Sequence, residues 1–307
     1  MVIAVTGATG FVGRHLVATL VQRGHRVRAL VRAPRRASLA LPREVDLVIG
    51  SLDHPAALTA LCQGAEAVAH LVAIITESPR ATFTGVHVDG TRQLLDAARM
   101  AGVARIVYVS AVGARPDAAA TRYHRTKWQA EELVRASRLS SAILRPSLIN
   151  GPESVPIRTL ARLQRSLPVV PVFGKGDFLM QPVWIGDVAL ACALALERRD
   201  IEGAHELGGP EVMTFENVVR AVGRAVGHDR PLLHIPLPLA RLAARLADPL
   251  GPLAPITSDQ LRMLVEGNTT PANAITSVFE IQPVGFEEGL RHVLGVPPPQ
   301  KNQTRGR

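Results

Sequence analysis

The sequence predicts an α/β fold in which a doubly wound parallel sheet carries a smaller, mostly helical C-terminal lobe. Three observations lead there. Short apolar runs alternate with amphipathic stretches through the first half of the chain, as successive βαβ units require. A glycine-rich turn follows the first apolar run at once. After Asn150-Gly151-Pro152 the alternation loosens and prolines become frequent, which marks a change of architecture.

Strands are expected at Val2–Thr6, Arg26–Val31, Val45–Ile49, Ala67–Leu71, Arg105–Val109 and Ser141–Arg145. Among the intervening helices the clearest runs from Thr91 to Ala101, with Leu94, Leu95 and Ala98 on one face and Gly102 as its C-terminal stop. This order implies right-handed crossovers and a first domain over residues 1–150. Residues 151–295 are expected to form a lobe interwoven with the sheet, Gln181–Asp187 returning to the sheet region and Thr214 capping a helix through Val226. The Pro-rich and polar stretch 296–307 predicts a disordered tail.

Composition narrows the class. With 307 residues, 47% of them hydrophobic, the chain can bury a sizeable core. Its longest purely apolar run, Val188 to Leu196, is too short to cross a bilayer. The chain enters a strand pattern directly after Met1, which predicts a cytoplasmic rather than an exported protein. Cys62 and Cys192 stand in no ligand cluster, so reduced core thiols and no metal are expected. The net charge of +9 lies almost wholly before residue 155. A phosphate-rich ligand accounts for it, as does a bias toward arginine over the three lysines. No basic block is interleaved with aromatics, which argues against nucleic acid.

The turn Gly7-Ala8-Thr9-Gly10-Phe11-Val12-Gly13 joins the first strand to the first helix. In that context Gly7 makes the turn, Gly10 lets backbone N–H groups approach a pyrophosphate, and Gly13 allows close helix packing. The turn reads as a Rossmann dinucleotide site. At the end of the second strand, where a carboxylate would select the ribose 2′-hydroxyl of NAD(H), the chain has Arg32, followed by Arg35 and Arg36. A guanidinium suits a 2′-phosphate instead. NADP(H) is therefore favoured; solvated arginines would leave NAD(H) as the alternative.

Tyr123 and Lys127 stand four residues apart, on one face of an expected helix. With only two tyrosines and three lysines in the chain, chance places them so on the order of a few per cent of the time. A nearby ammonium would draw the phenol toward working range.

TGATGFVG, YHRTK and LRPSLINGP together resemble the extended or atypical short-chain dehydrogenase/reductase superfamily over nearly the whole chain. More narrowly, HLVAIITE, GVHVDGTRQLLDAARMAGVARIVYVSAVGA, LPVVPVFGKGDFLMQPVWIGDVA and ELGGPEVMTF resemble bacterial relatives of the nucleotide-binding accessory subunit of respiratory complex I. The resemblance implies cofactor contacts from Gly7, Thr9, Gly10, Phe11, Val12, Gly13, Arg32, Leu71, Val72, Ala73, Tyr123, Lys127 and Pro146. Adenine would rest on Ser51 and Leu52, because the acid many relatives carry after the third strand is replaced by Gly50-Ser51-Leu52. Ser110 is the available catalytic hydroxyl beside Tyr123 and Lys127. His87 takes a position where relatives have Asn and reads first as a packed helix histidine, second as a substitute polar contact. Asp187 reads as structural, a helix N-cap.

Two functions follow. One is an NADP(H)-dependent oxidoreductase or epimerase acting on a secondary alcohol or ketone. The other is a non-catalytic NADPH-binding accessory protein of a respiratory or quinone-biosynthesis assembly at the inner membrane face. Exchange and oxidation of bound NADPH would separate them. A last feature, Leu239, Leu242, Ala243 and Leu246 flanked by Arg241 and Arg245, reads first as a helix packed on the core and second as one lying on an acidic membrane.

Overall fold

The structure, a computed structural model, describes residues 1–295; the expected tail at 296–307 lies outside the described residues, as does the Arg36 side chain. The chain order opens β1 (Val2–Thr6), α1 (Phe11–Gln22), β2 (Arg26–Val31), α2 (Pro34–Ala40), β3 (Asp46–Ile49), α3 (Pro55–Cys62) and β4 (Ala67–His70). It continues through α4 (Gly90–Met100), β5 (Arg105–Val109), α5 (Arg122–Ala136) and β6 (Ser140–Pro146). Six strands pair in the order β3-β2-β1-β4-β5-β6, all parallel. The order reverses between β1 and β4, so a crevice opens there at the carboxyl ends of the strands.

The pleat sends alternate residues to opposite layers. Ile3 and Val5 join the core beneath α1, whereas Ala4 joins the core beneath α3, α4 and α5. Cys62 and Cys192 are buried free thiols in these two layers. α4 begins one residue before the expected position and is preceded by a π-helical stretch, Thr84–Asp89, in which the Gly90 N–H reaches back to Gly85.

From Ile149 onward the chain both builds a lobe and returns to the sheet. Its elements are β7 (Ile149–Asn150), α6 (Val155–Ser166), β8 (Val170–Phe173), β9 (Leu179–Met180), β10 (Val183–Trp184), α7 (Ile185–Glu197) and β11 (Gly203–Leu207). They continue with β12 (Met213–Thr214), α8 (Phe215–Ala225), β13 (Leu232–Ile235), α9 (Leu237–Ala247), a 3₁₀ turn (Asp248–Leu253), α10 (Ser258–Glu266), α11 (Ala274–Ser277) and α12 (Phe286–Leu294). Gln181–Asp187 returns to the sheet region without adding a strand to the main sheet: Val183 packs into the core beneath α1, β10 pairs with β7, and the chain enters α7 at Ile185. Also returning are α7, apolar on every side because it is buried against α1 and the sheet, and β11, which pairs parallel with β6 as a seventh strand.

Arg105 fastens that return. Its guanidinium is buried and donates to the Ala195 carbonyl (2.5 Å), the Ser140 hydroxyl (2.6 Å) and the Ile201 carbonyl (2.5 Å). A buried cation is tolerated when its donors are satisfied in this way. α6, α8 and α12 enclose a separate core around Ile157, Val218, Val222 and Phe286. Thr214 caps α8 by accepting the Asn217 N–H (3.2 Å).

Candidate functional site

The glycine turn lies in the β1–β4 crevice. Gly7 has φ +75°, and a Cβ there would sit 3.0 Å from the Leu71 carbonyl carbon and the Val72 nitrogen. A Cβ on Gly13 would stand 2.1 Å from the Gly7 oxygen, so only hydrogen fits where α1 crosses the turn. Gly10 caps α1 with no side chain on the first-turn N–H groups. Unclaimed N–H groups at the positive end of a twelve-residue helix fit an anion, so this cradle fits the pyrophosphate of a dinucleotide. Leu71 and Val72 follow β4 directly against the turn, and Ala73 comes next in the chain.

Past β2, Arg32 is exposed. Asp53, which no sequence motif marks, lies close enough to Arg32 to feel its charge. Its carboxyl is held below the usual range, first by the hydrogen bond donated from Ser51. The Ser51 hydroxyl is thus engaged with Asp53, and the Leu52 side chain packs over the start of α4 at Gly90. The signal available in sequence is the Ser-x-Asp spacing after β3.

The second group of residues gathers at the end of β5. Thr121 caps α5 through the His124 N–H (3.2 Å), which starts the helix one residue before Tyr123. Lys127, one turn on, is fully buried. Its Nζ donates to the Val109 carbonyl (2.6 Å) and lies 4.2 Å from the Tyr108 ring centroid. Desolvation pushes its amine down to about 7, against the raising influence of Glu131. Glu131 is buried too and accepts from Arg145 and Arg135 (both 2.6 Å), which ties α5 to β6. Ser110 follows Val109 immediately; it is buried, and its Oγ has no hydrogen-bond partner. A buried orphan hydroxyl is costly unless something else satisfies it. Pro146 ends β6 beside it, its carbonyl accepting the Val112 N–H (3.1 Å).

Tyr123 is half-buried in an aromatic cage, edge-on to His124 (5.5 Å), His87 (5.6 Å) and Phe83 (6.0 Å). Burial pushes its phenol up to about 12. The expectation that Lys127 draws this phenol down is corrected: desolvation dominates, and the lysine spends its hydrogen bond on Val109.

Strand register explains a network that no sequence pattern announced. β1, β4 and β5 align Thr6, His70 and Tyr108 in one row. Thr6 Oγ1 meets His70 Nδ1 (2.6 Å), and His70 Nε2 meets Thr91 Oγ1 (2.9 Å). Thr91 gives its proton to the His87 carbonyl (2.5 Å), so His70 Nε2 must donate and Nδ1 must accept. The Ile74 N–H donates to His87 Nε2 (3.1 Å), which leaves Nδ1–H to donate to Thr126 Oγ1 (2.9 Å). Both rings are held neutral in single tautomers. His87 is accordingly a packed helix histidine.

Burial, with Lys127 the next cause, holds both histidines down to about 3, from an ordinary value of 6.5. Below pH 6.5 the unfolded chain therefore binds protons that the folded chain does not. Stability falls as pH drops toward 3, by about 1.4 kcal/mol per unit for each ring. His70→Gln is expected to flatten this slope by that amount in urea unfolding between pH 6 and 4; equal slopes for variant and wild type would mean that the buried ring accepts a proton.

Asp187 is corrected from cap to anchor. Trp184 occupies the cap position, and Asp187 in the first turn of α7 accepts the Val284 N–H (2.9 Å). Burial raises its carboxyl to about 6. Among the described residues no group of three or more His, Cys, Asp or Glu could hold a metal ion.

Known proteins resemble this chain in sequence and in fold. The family described as NAD(P)H-binding matches residues 7–167. The ceramide reductase of Caulobacter vibrioides is 32% identical over 299 residues, covering 95% of this chain and 93% of that protein. The chain belongs to the extended short-chain dehydrogenase/reductases. It is an NAD(P)-binding protein of the oxidoreductase class. A mitochondrial complex I subunit of Arabidopsis thaliana, NADH dehydrogenase (ubiquinone) 1 alpha subcomplex subunit 9, is 29% identical over 81% of this chain and 63% of its own. The UDP-glucose 4-epimerase of Thermus thermophilus, solved with NAD, shares the fold: TM-score 0.75 at 23% identity, covering 97% of this chain and all of that one.

Proposed function

We propose that the protein is an NADP(H)-dependent oxidoreductase acting on a secondary alcohol or ketone, in the cytoplasm or at the inner face of the membrane. The observation that carries this reading is the partnerless Ser110 hydroxyl, one residue beyond the carbonyl that holds Lys127. A substrate oxygen between Ser110 and Tyr123 would satisfy the orphan. Tyr123, with its phenol pushed up to about 12, holds its proton at neutral pH and delivers it to a carbonyl oxygen as reduction proceeds. Lys127 sits one helical turn away, where it would hold the nicotinamide ribose. Gly7, Thr9, Gly10, Phe11, Val12 and Gly13 would hold the pyrophosphate, with Leu71, Val72, Ala73 and Pro146 beside the nicotinamide and Ser51, Leu52 and Asp53 beside the adenine. When bound, the reduced cofactor supplies the hydride.

Arg32 favours the 2′-phosphate of NADP(H), while Asp53 nearby tempers that preference. Consumption of NADPH and NADH with a panel of ketones tests both points. NADPH should be used several-fold more efficiently, and Arg32→Asp should reverse the order; equal use by the wild type would remove Arg32 from selection. The likeness to a complex I subunit favours a second reading, an accessory protein that keeps NADPH as a fixed ligand. Bound NADPH that neither exchanges nor oxidises would establish it.

A further inference from the structure

α9 turns its small residues inward. Ala240 and Ala244 are buried against Leu261 of α10, whereas Leu239, Leu242 and Leu246 are 58%, 55% and 74% exposed. At 3.6 residues per turn the leucines lie roughly 150° around the helix from the alanines. The stripe that reads as core packing in the sequence thus faces away from the core. Leu250 and Leu253 in the following 3₁₀ turn are exposed as well. Between the two faces stand Arg241 and Arg245, which with Arg262 border a groove of about 500 Å³ between α9 and α10. Neither Arg241 nor Arg245 forms an ion pair among the described residues; Arg262 has Glu266 (3.6 Å).

This surface is attached to the rim of the candidate site. A Cβ at Gly251 would lie 3.5 Å from the Glu77 carbonyl, and Gln260 donates to Thr76 Oγ1 (3.0 Å). Glu77 in turn accepts the Phe83 N–H (2.8 Å) and pairs with Arg122 (2.7 Å), the neighbour of Tyr123. Exposed Ile75 adds a further apolar side chain on the same loop.

We propose that α9 and its 3₁₀ extension form a docking surface for an anionic lipid bilayer. The leucines enter the acyl boundary while Arg241 and Arg245 meet the headgroups. An apolar stripe flanked by unpaired cations is what an interfacial helix requires, and the cations commit the surface to acidic lipid rather than to an apolar protein face. The helix lies in the membrane plane, with the loop that borders Tyr123 beside it. Docking does not depend on turnover.

Flotation of the full chain with vesicles of phosphatidylglycerol and phosphatidylcholine, or of phosphatidylcholine alone, tests the surface. Wild type should float with the anionic vesicles at low salt, and much less at high salt or on phosphatidylcholine alone. Arg241→Glu/Arg245→Glu and Leu242→Ser/Leu246→Ser should each weaken binding at least about tenfold. Because these side chains are exposed, both variants should keep wild-type thermal stability and NADPH binding. Protein that stays soluble, variants that float like wild type, or a dimer in solution that buries the leucines would overturn the proposal. Ketone reduction by soluble substrate, measured alongside, would stand or fall separately.

Discussion

Tyr123→Phe is expected to lower kcat by at least about a hundredfold, the lower end of what a positioned proton donor contributes. Dinucleotide affinity should be nearly unchanged. The ring keeps its edge contacts with Phe83, His87 and His124, so one hydroxyl is lost and the packing stays. Lys127→Ala, by contrast, should harm both turnover and affinity, since it also strips the Val109 carbonyl of its donor and leaves a void under Tyr108. Steady-state kinetics with NADPH and a reducible ketone, beside calorimetric titration of NADPH, give the two readouts. Wild-type turnover in Tyr123→Phe would transfer proton delivery to another group.

Gly13→Ala is the second large effect. The added methyl would stand 2.1 Å from the Gly7 oxygen and 2.7 Å from the Ala8 Cα, and both are backbone atoms that no rotamer change can move aside. α1 must back away from β1, which withdraws its N-terminus from the pyrophosphate position. A stability loss of about 1–3 kcal/mol is expected from such overpacking, with dinucleotide affinity falling by at least about a hundredfold as the N–H cradle opens. Thermal unfolding and NADPH titration check it, and wild-type affinity in this variant would show that α1 does not form the anion site.

What is legible in the sequence is what is local. The glycine turn declares itself because strand, turn and helix are consecutive, and Tyr123 and Lys127 because four residues span one helical turn. The six strands of the first half are legible to within a residue or so for the same reason. Long-range pairings leave no such trace. Gly203–Leu207 has neither clean alternation nor an apolar run, and it becomes a strand only because β6 offers it an edge. The links from Thr6 to His70 and on to Thr91, and from His87 to Thr126, depend on the register of three strands and on a π-helical turn. For Asp53 the only local trace is the Ser-x-Asp spacing, and only the folded loop brings it near Arg32. For α9 the sequence shows an apolar stripe without saying which side the protein would claim. Alanines at 240 and 244 allow close approach of α10, and that contact took the side the leucines did not occupy.

Arg105 has a further meaning for how the molecule comes into being. Two of its three acceptors, the carbonyls of Ala195 and Ile201, belong to residues made long after β5 and β6. A nascent chain that has emerged only as far as Asn150 holds a guanidinium aimed at carbonyls not yet synthesised, beside a β6 edge with no partner. The dinucleotide half thus draws two acceptors and its outermost strand from the second half, although its motifs all lie within the first half of the chain. Any transplant or fragment meant to keep it must run through Leu207, and completion of the sheet during synthesis waits for the same residue.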